Sequence, residues 1–219
     1  MSRDYPLWDG TVRFIHWAIV LLLPAAWWTG EEGDLDRHQW VGIAILVLVL
    51  TRLVWGLVGS PQARFRDFVR GPRTTLRYLR GEPSATPGHS PLGAWSVLAL
   101  WALLLGQAIS GLFNADDILF TGPFHYVFDS AVTDSIASIH DLLFNVIVGF
   151  VVLHVAAVIY YERGRNQRLL WPMVKGVHEG RYGTGPARPL FVAVLIAALI
   201  GGVLWYLMEM APAPPASYW

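Results

Sequence analysis

Four of the seven histidines in this chain of 219 residues, His16, His38, His140 and His154, lie in or beside long apolar stretches. An ionisable side chain at membrane depth is costly and is a functional candidate by default. A single imidazole there reads equally well as a packing group that hydrogen-bonds a neighbouring helix. Four of them form a pattern. His140 and His154 stand 14 residues apart, which on one helix puts them about 21 Å apart along the axis and about 40° apart around it. They face one side at two depths.

The elements that must position them are membrane spans. Apolar residues make up 54% of the chain and charged ones 15%, where a soluble domain carries nearer a quarter charged. Five stretches approach the roughly 20 apolar residues that a bilayer crossing needs: 13–30, 39–60, 91–114, 138–161 and 189–208. The expected fold is therefore an all-α polytopic membrane protein. The first span follows Asp4 and Asp9 and lacks a small-residue cleavage site, so it reads as a retained helix rather than a signal peptide.

Basic residues orient the spans. Fourteen of the 16 Lys and Arg fall in the N-terminal segment, the second-to-third connection and the fourth-to-fifth connection, against Arg37 alone on the other side. The rule that positive loops stay inside puts the N-terminus in the cytoplasm and the C-terminal tail outside. Carboxylates sort oppositely: Glu31, Glu32, Asp34, Asp36, Asp116, Asp117, Asp129, Asp134 and Glu209 lie outside. The formal net charge of zero thus conceals a balance of +8 inside and −8 outside. Such a chain has no basic footprint for nucleic acid, and its outer face attracts a cationic soluble partner.

With this topology, His16 begins the first helix at the cytoplasmic side and His38 begins the second at the outer side. The fourth helix runs inward, so His140 meets His38 at the outer level and His154 meets His16 at the inner one. Two stacked imidazole pairs suit two b-type haems, each held between facing helices without a cysteine. The absence of cysteine excludes disulfides, Cys-ligated zinc, iron–sulfur clusters and covalently attached haem within this chain. Zinc on histidine is the competing reading, but it takes four ligands, and only Asp141 near the outer pair offers a third.

Several segments resemble the bacterial cytochrome b561 and hydrogenase-type cytochrome b family. They are WDGTVRFIHW (8–17), HQWVG (38–42), TRLVWGLVGSPQARFRDF (51–68), GHSPLGAWSVLAL (88–100) and HDLLFNVIVGFVVLHVAAV (140–158). The resemblance covers roughly residues 6–178 and implies a four-helix bundle whose corresponding histidines ligate two haems b. The expected division is thus a dihaem domain over 1–178. A linker, a fifth span and a short outer tail follow over 179–219, and the resemblance says nothing of the fifth helix.

Cations that suit haem propionates are Arg13, one turn before His16, Arg37 beside His38, and Arg52. Arg52 lies 14 residues after His38, hence near the inner level. Arg13 and Arg37 read equally as interfacial anchors, whereas Arg52, inside a span, reads as a contact to haem or quinone. Gly42, Gly106 and Gly149 leave room for close helices or a flat macrocycle. Gln107 and Ser110 read as helix–helix hydrogen-bonding groups, His125 as structural, and His89 and His178 give no signal. The apolar connection 118–138 reads as packed over the bundle or lying in the interface, with partner docking as the other use.

Together these features imply a cytochrome of the bacterial cytoplasmic membrane, in contact with lipid, carrying electrons between a periplasmic partner and quinone. The resemblance implies a c-type cytochrome or a dehydrogenase subunit as the partner class. It also suggests a second reading, a superoxide:quinone oxidoreductase, against which the anionic outer face weighs. A third is a membrane anchor without redox function. Gly201 and Gly202 in the fifth span offer room for contact within or between chains.

Overall fold

The computed structural model describes residues 5–83, 88–116, 120–178 and 182–213. Arg3, Asp4, Asp117, Arg181 and the end of the C-terminal tail lie outside the described residues. The described chain is all-helical, and five of its helices are long and apolar enough to cross a membrane. They are α1 (Gly10–Glu31), α2 (Leu35–Val58), α5 (Pro91–Gly111), α6 (Ser130–Ile159) and α8 (Leu190–Glu209). Three short helices, α3 (Phe65–Phe68), α4 (Pro72–Leu79) and α7 (Leu170–Lys175), lie in the connections at the basic end.

Helix starts follow capping chemistry. Asp9, Asp34, Ser90 and Asp129 each precede a long helix and accept a hydrogen bond from the N–H three residues on. Asp129 accounts for the main departure from expectation. The fourth spanning helix starts at Ser130, two turns before the expected 138, so residues 130–138 are helix rather than loop. The rest of that connection folds back on the end of α5. Gly122 and Phe124 donate backbone hydrogen bonds to the carbonyls of Asn114 and Leu112, and Phe113 packs between Phe124 and Phe128. At its far end α6 continues into a π-helical turn, Tyr160–Gly164.

α2 is the central helix, packed against α1, α5 and α8, whereas α6 packs on α5. Midway through the bundle an apolar layer is formed by Ile15 and Ile19 of α1, Ile45 and Val49 of α2, Leu104 of α5 and Ile147 of α6. α8 lies against α2 and α1. Ala193 joins a buried cluster with Leu7, Trp8, Val12, Trp55 and Ala63, and Trp205 stacks on Trp40 at 6.2 Å. A Cβ added at Gly201 or Gly202 meets nothing within 4 Å, so these glycines do not mediate the packing of α8 on α2.

At the basic end the N-terminal segment is stapled to α7. Leu7 N–H donates to Gly176 O at 2.7 Å, Trp17 Nε1 to Met173 O at 3.1 Å and Arg13 to Val174 O at 2.9 Å. Asp9 joins α1 to α2: one carboxylate oxygen caps Val12 N–H at 2.7 Å and the other accepts from Trp55 Nε1 at 2.9 Å, both buried. Asp9→Ala strands both donors and is expected to cost about 2 kcal/mol, read as a lower thermal midpoint in detergent. Asp9→Asn, which keeps one acceptor oxygen, should lose less.

Candidate haem sites

The four membrane histidines meet in two pairs. His38 of α2 faces His140 of α6 with ring centres 6.2 Å apart, and His16 of α1 faces His154 of α6 at 6.5 Å. The apolar layer around Ile147 lies between the two levels, Ile147 being halfway from His140 to His154 along α6. α6 reaches these partners without being one of the helices packed closely on α1 or α2, so a slot separates the helices where the rings meet.

The outer pair is held by one device used twice. His38 Nδ1 donates to the carbonyl of Ala26 at 2.8 Å, and His140 Nδ1 donates to the carbonyl of Gln107 at 3.0 Å. A carbonyl oxygen only accepts, so both rings carry their proton on Nδ1, as metal-binding histidines commonly do, and Nε2 is the acceptor nitrogen; on His140 that nitrogen is engaged by the Gln107 amide. Each ring also lies on a glycine one turn beyond its acceptor. A Cβ at Gly30 would stand 3.1 Å from His38 Nδ1, and one at Gly111 2.9 Å from His140 Cε1. Around His140 the Gln107 amide donates to Nε2 at 3.0 Å, and Ser110 Oγ lies 3.0 Å from Nδ1. Gln107 and Ser110 thus do bridge helices, and what they bridge to is the histidine. Their spacing of three residues on α5 was the available signal.

The inner pair is set differently. His16 Nδ1 is buried without a hydrogen-bond partner, and its ring meets Trp17 edge-on. Arg52 lies at this depth, only 3% exposed, with its guanidinium over the rings of Phe65 at 5.3 Å and Trp101 at 5.9 Å. Its Nη1 is buried with no hydrogen-bond partner among the described residues. Gly56 makes room for Phe65, whose ring would overlap any added Cβ. His89, silent in the sequence, is half-buried beside this cluster, stacked on Phe68 at 4.5 Å with its edge near Trp8. Burial, then the neighbouring Arg52 charge, pushes its imidazole down to about 3, so it is neutral.

The other two arginines are engaged elsewhere. Arg13 is a strut to α7 through Val174 O. Arg37 turns outward, with its side chain 79% exposed, in an ion pair with Asp34 at 3.0 Å.

The family model for prokaryotic cytochrome b561 matches residues 7–176. The chain belongs to that family. No curated protein and no solved structure matches it. Membership makes it a bacterial membrane b-type cytochrome of electron transfer and implies haem b, so the pairs can be tested for fit. An iron held between two imidazoles would lie about 2 Å from each nitrogen, itself about 1.1 Å from its ring centre, giving centres about 6.2 Å apart. Both pairs have that separation. Gly42, one turn after His38 on the same helix face, opens onto empty space, as a macrocycle there requires. Among the described residues no group of three or more His, Asp or Glu side chains is placed to hold a metal ion; the clusters are pairs, suited to axial ligation. Gly111→Val is expected to displace His140 and lower haem per chain, measured as pyridine haemochrome. Gly149→Ala, whose added methyl meets nothing within 4 Å, should leave it unchanged.

Proposed function

We propose that this cytochrome carries electrons across a bacterial cytoplasmic membrane through two haems b, one held by His38 and His140, the other by His16 and His154. The observation that carries the reading is the pair of ring separations, 6.2 and 6.5 Å, on opposite sides of one apolar layer. Haem b, when bound, supplies a reversible one-electron couple. The protein's share is to fix the imidazoles, exclude water between the levels with Ile15, Ile19, Ile45, Val49, Leu104 and Ile147, and set the charge at each end.

The N-terminus is cytoplasmic in this reading, because the connections between α2 and α5 and between α6 and α8 carry the arginines. The outer end presents Glu31, Glu32, Asp36, Asp116, Asp129, Asp134 and Glu209 as exposed carboxylates. That surface suits a periplasmic donor or acceptor with a cationic rim, such as a c-type cytochrome or a dehydrogenase subunit, and deters an anion such as superoxide. Arg37, the basic residue at that end, is already paired with Asp34. At the inner end Arg52 Nη1 offers a buried donor to a haem propionate or a quinone carbonyl.

A reduced-minus-oxidised spectrum of the purified protein should show b-type haem, with two per chain by pyridine haemochrome. His38→Ala or His140→Ala should leave about one; one haem in the parent, or no loss in these variants, would sink the dihaem assignment. Replacing Glu31, Glu32, Asp36 and Asp116 by their amides should slow electron exchange with a basic c-type cytochrome at low ionic strength. The difference should vanish at high salt, where the Debye length is a few ångströms.

A further inference from the structure

The short helix α4 (Pro72–Leu79) has no part in the haem sites, yet it is placed with care. Two hydrogen bonds tie one side of it to the bundle: Trp95 Nε1 of α5 donates to Thr75 Oγ1 at 3.2 Å, and the Tyr78 hydroxyl meets that of Tyr161 at 3.3 Å. Trp95, Tyr160 and Trp171 are all large aromatics left exposed at this end of the bundle. Such residues gather at the headgroup level of a bilayer, so the two hydrogen bonds hold α4 at that level.

Both leucines of α4 are exposed among the described residues. Leu76 is 49% and Leu79 60% exposed. At 100° per residue these two point about 95° away from the centre of the arc shared by Arg73, Arg77 and Arg80. Thr75 and Tyr78, facing the bundle, lie on the opposite side of the leucines from the arginines. A helix lying flat beside a bundle in the interface needs this arrangement: leucines toward the acyl chains, cations reaching sideways among the headgroups.

The charge is not neutralised locally. Residues 61–83 hold six arginines against Asp67 and Glu82, a net +4. Asp67 is committed to Arg64 at 2.6 Å, and Glu82 stands 3.7 Å from Arg77. Among the described residues no other carboxylate lies within ion-pair distance of these arginines.

We propose that α4 and its flanking arginines form a binding surface for anionic phospholipid in the cytoplasmic leaflet. Leu76 and Leu79 insert below the headgroups, and Arg73, Arg77 and Arg80 engage the lipid phosphates. Each such cation near an anionic surface contributes roughly a factor of five in affinity at ordinary ionic strength.

The test uses the full-length holoprotein in micelles doped with equal phosphatidylglycerol and phosphatidylcholine, with retained lipid counted by native mass spectrometry. The parent should retain phosphatidylglycerol in preference, and R73Q/R77Q/R80Q should lower that preference on the order of tenfold or more with haem content unchanged. R73K/R77K/R80K, which keeps the charge, should retain most of it, and L76S/L79S should lower total retained lipid. No preference in the parent, as expected of a surface for an acidic protein, would overturn the proposal. So would an unchanged preference in the glutamine variant. Displacement of the lipid by millimolar inorganic phosphate would mark a site for a free anion and would also overturn it.

Discussion

An iron between two imidazoles imposes a distance on the helices that carry them. Ring centres must stand a little over 6 Å apart, which leaves the backbones too far apart for ordinary helix packing, at 8–10 Å between axes with side chains interdigitated. α6 must therefore be held at a set remove from α1 and α2 by something other than contact with them. α5 does this, because α6 packs on α5 while α5 packs on α2. All four helices meet in the apolar layer at Ile147, Ile15, Ile19, Ile45, Val49 and Leu104. That layer divides the slot into two compartments, each with one histidine pair.

The compartments are not equivalent. Outside, both imidazoles donate Nδ1–H to backbone carbonyls, of Ala26 and Gln107, and both rest on glycine one turn beyond. Such donation orients the ring and makes Nε2 more basic. The glycines are necessary because the ring must lie against helix backbone for its nitrogen to reach a carbonyl already used by the helix. Inside, His16 has no such acceptor for Nδ1, and the dominant local feature is the Arg52 cation between Phe65 and Trp101. His16 thus lacks the backbone hydrogen bond that raises imidazole basicity and stands near a positive charge, whereas both outer imidazoles have that bond and lie beneath an acidic surface.

Much of this was legible in the sequence because it rests on period and charge. The spacing of 14 from His140 to His154, with the sorting of arginines and carboxylates, fixed which histidines share a level, and the facing rings are where that argument puts them. The glycine supports were not legible, since Gly30 and Gly111 sit at span ends where glycine has many uses and their partners are remote in sequence. What Arg37 and Arg13 touch was not legible either: Arg37 pairs with the nearest carboxylate, Asp34, and Arg13 donates from Nη1 to the carbonyl of Val174 on α7 while its Nε stays buried without a partner among the described residues. The early start of α6 was not legible because Ser130, Thr133, Asp134, Ser135 and Ser138 interrupt the apolar run, so these residues read with the connection. A capped helix can continue past the apolar region into water, and Asp129 caps this one.

The fifth helix acquires a purpose from the same geometry. α2 carries His38 at one level and Arg52 at the other, so a shift of α2 along its axis would disturb both compartments at once. α5 and α1 hold two of its sides. α8 holds a third, through Trp205 on Trp40 near the outer end and through Ala193 among Trp8, Val12 and Trp55 at the inner end. The inner contact is in turn locked by Asp9, which binds the Trp55 indole while capping α1, and by Ser60, whose hydroxyl accepts from Arg188 N–H at the approach to α8. α6, by comparison, leaves long stretches of apolar surface to lipid. The fifth helix therefore reinforces α2, which bears on both compartments, rather than α6, which carries a histidine of each pair.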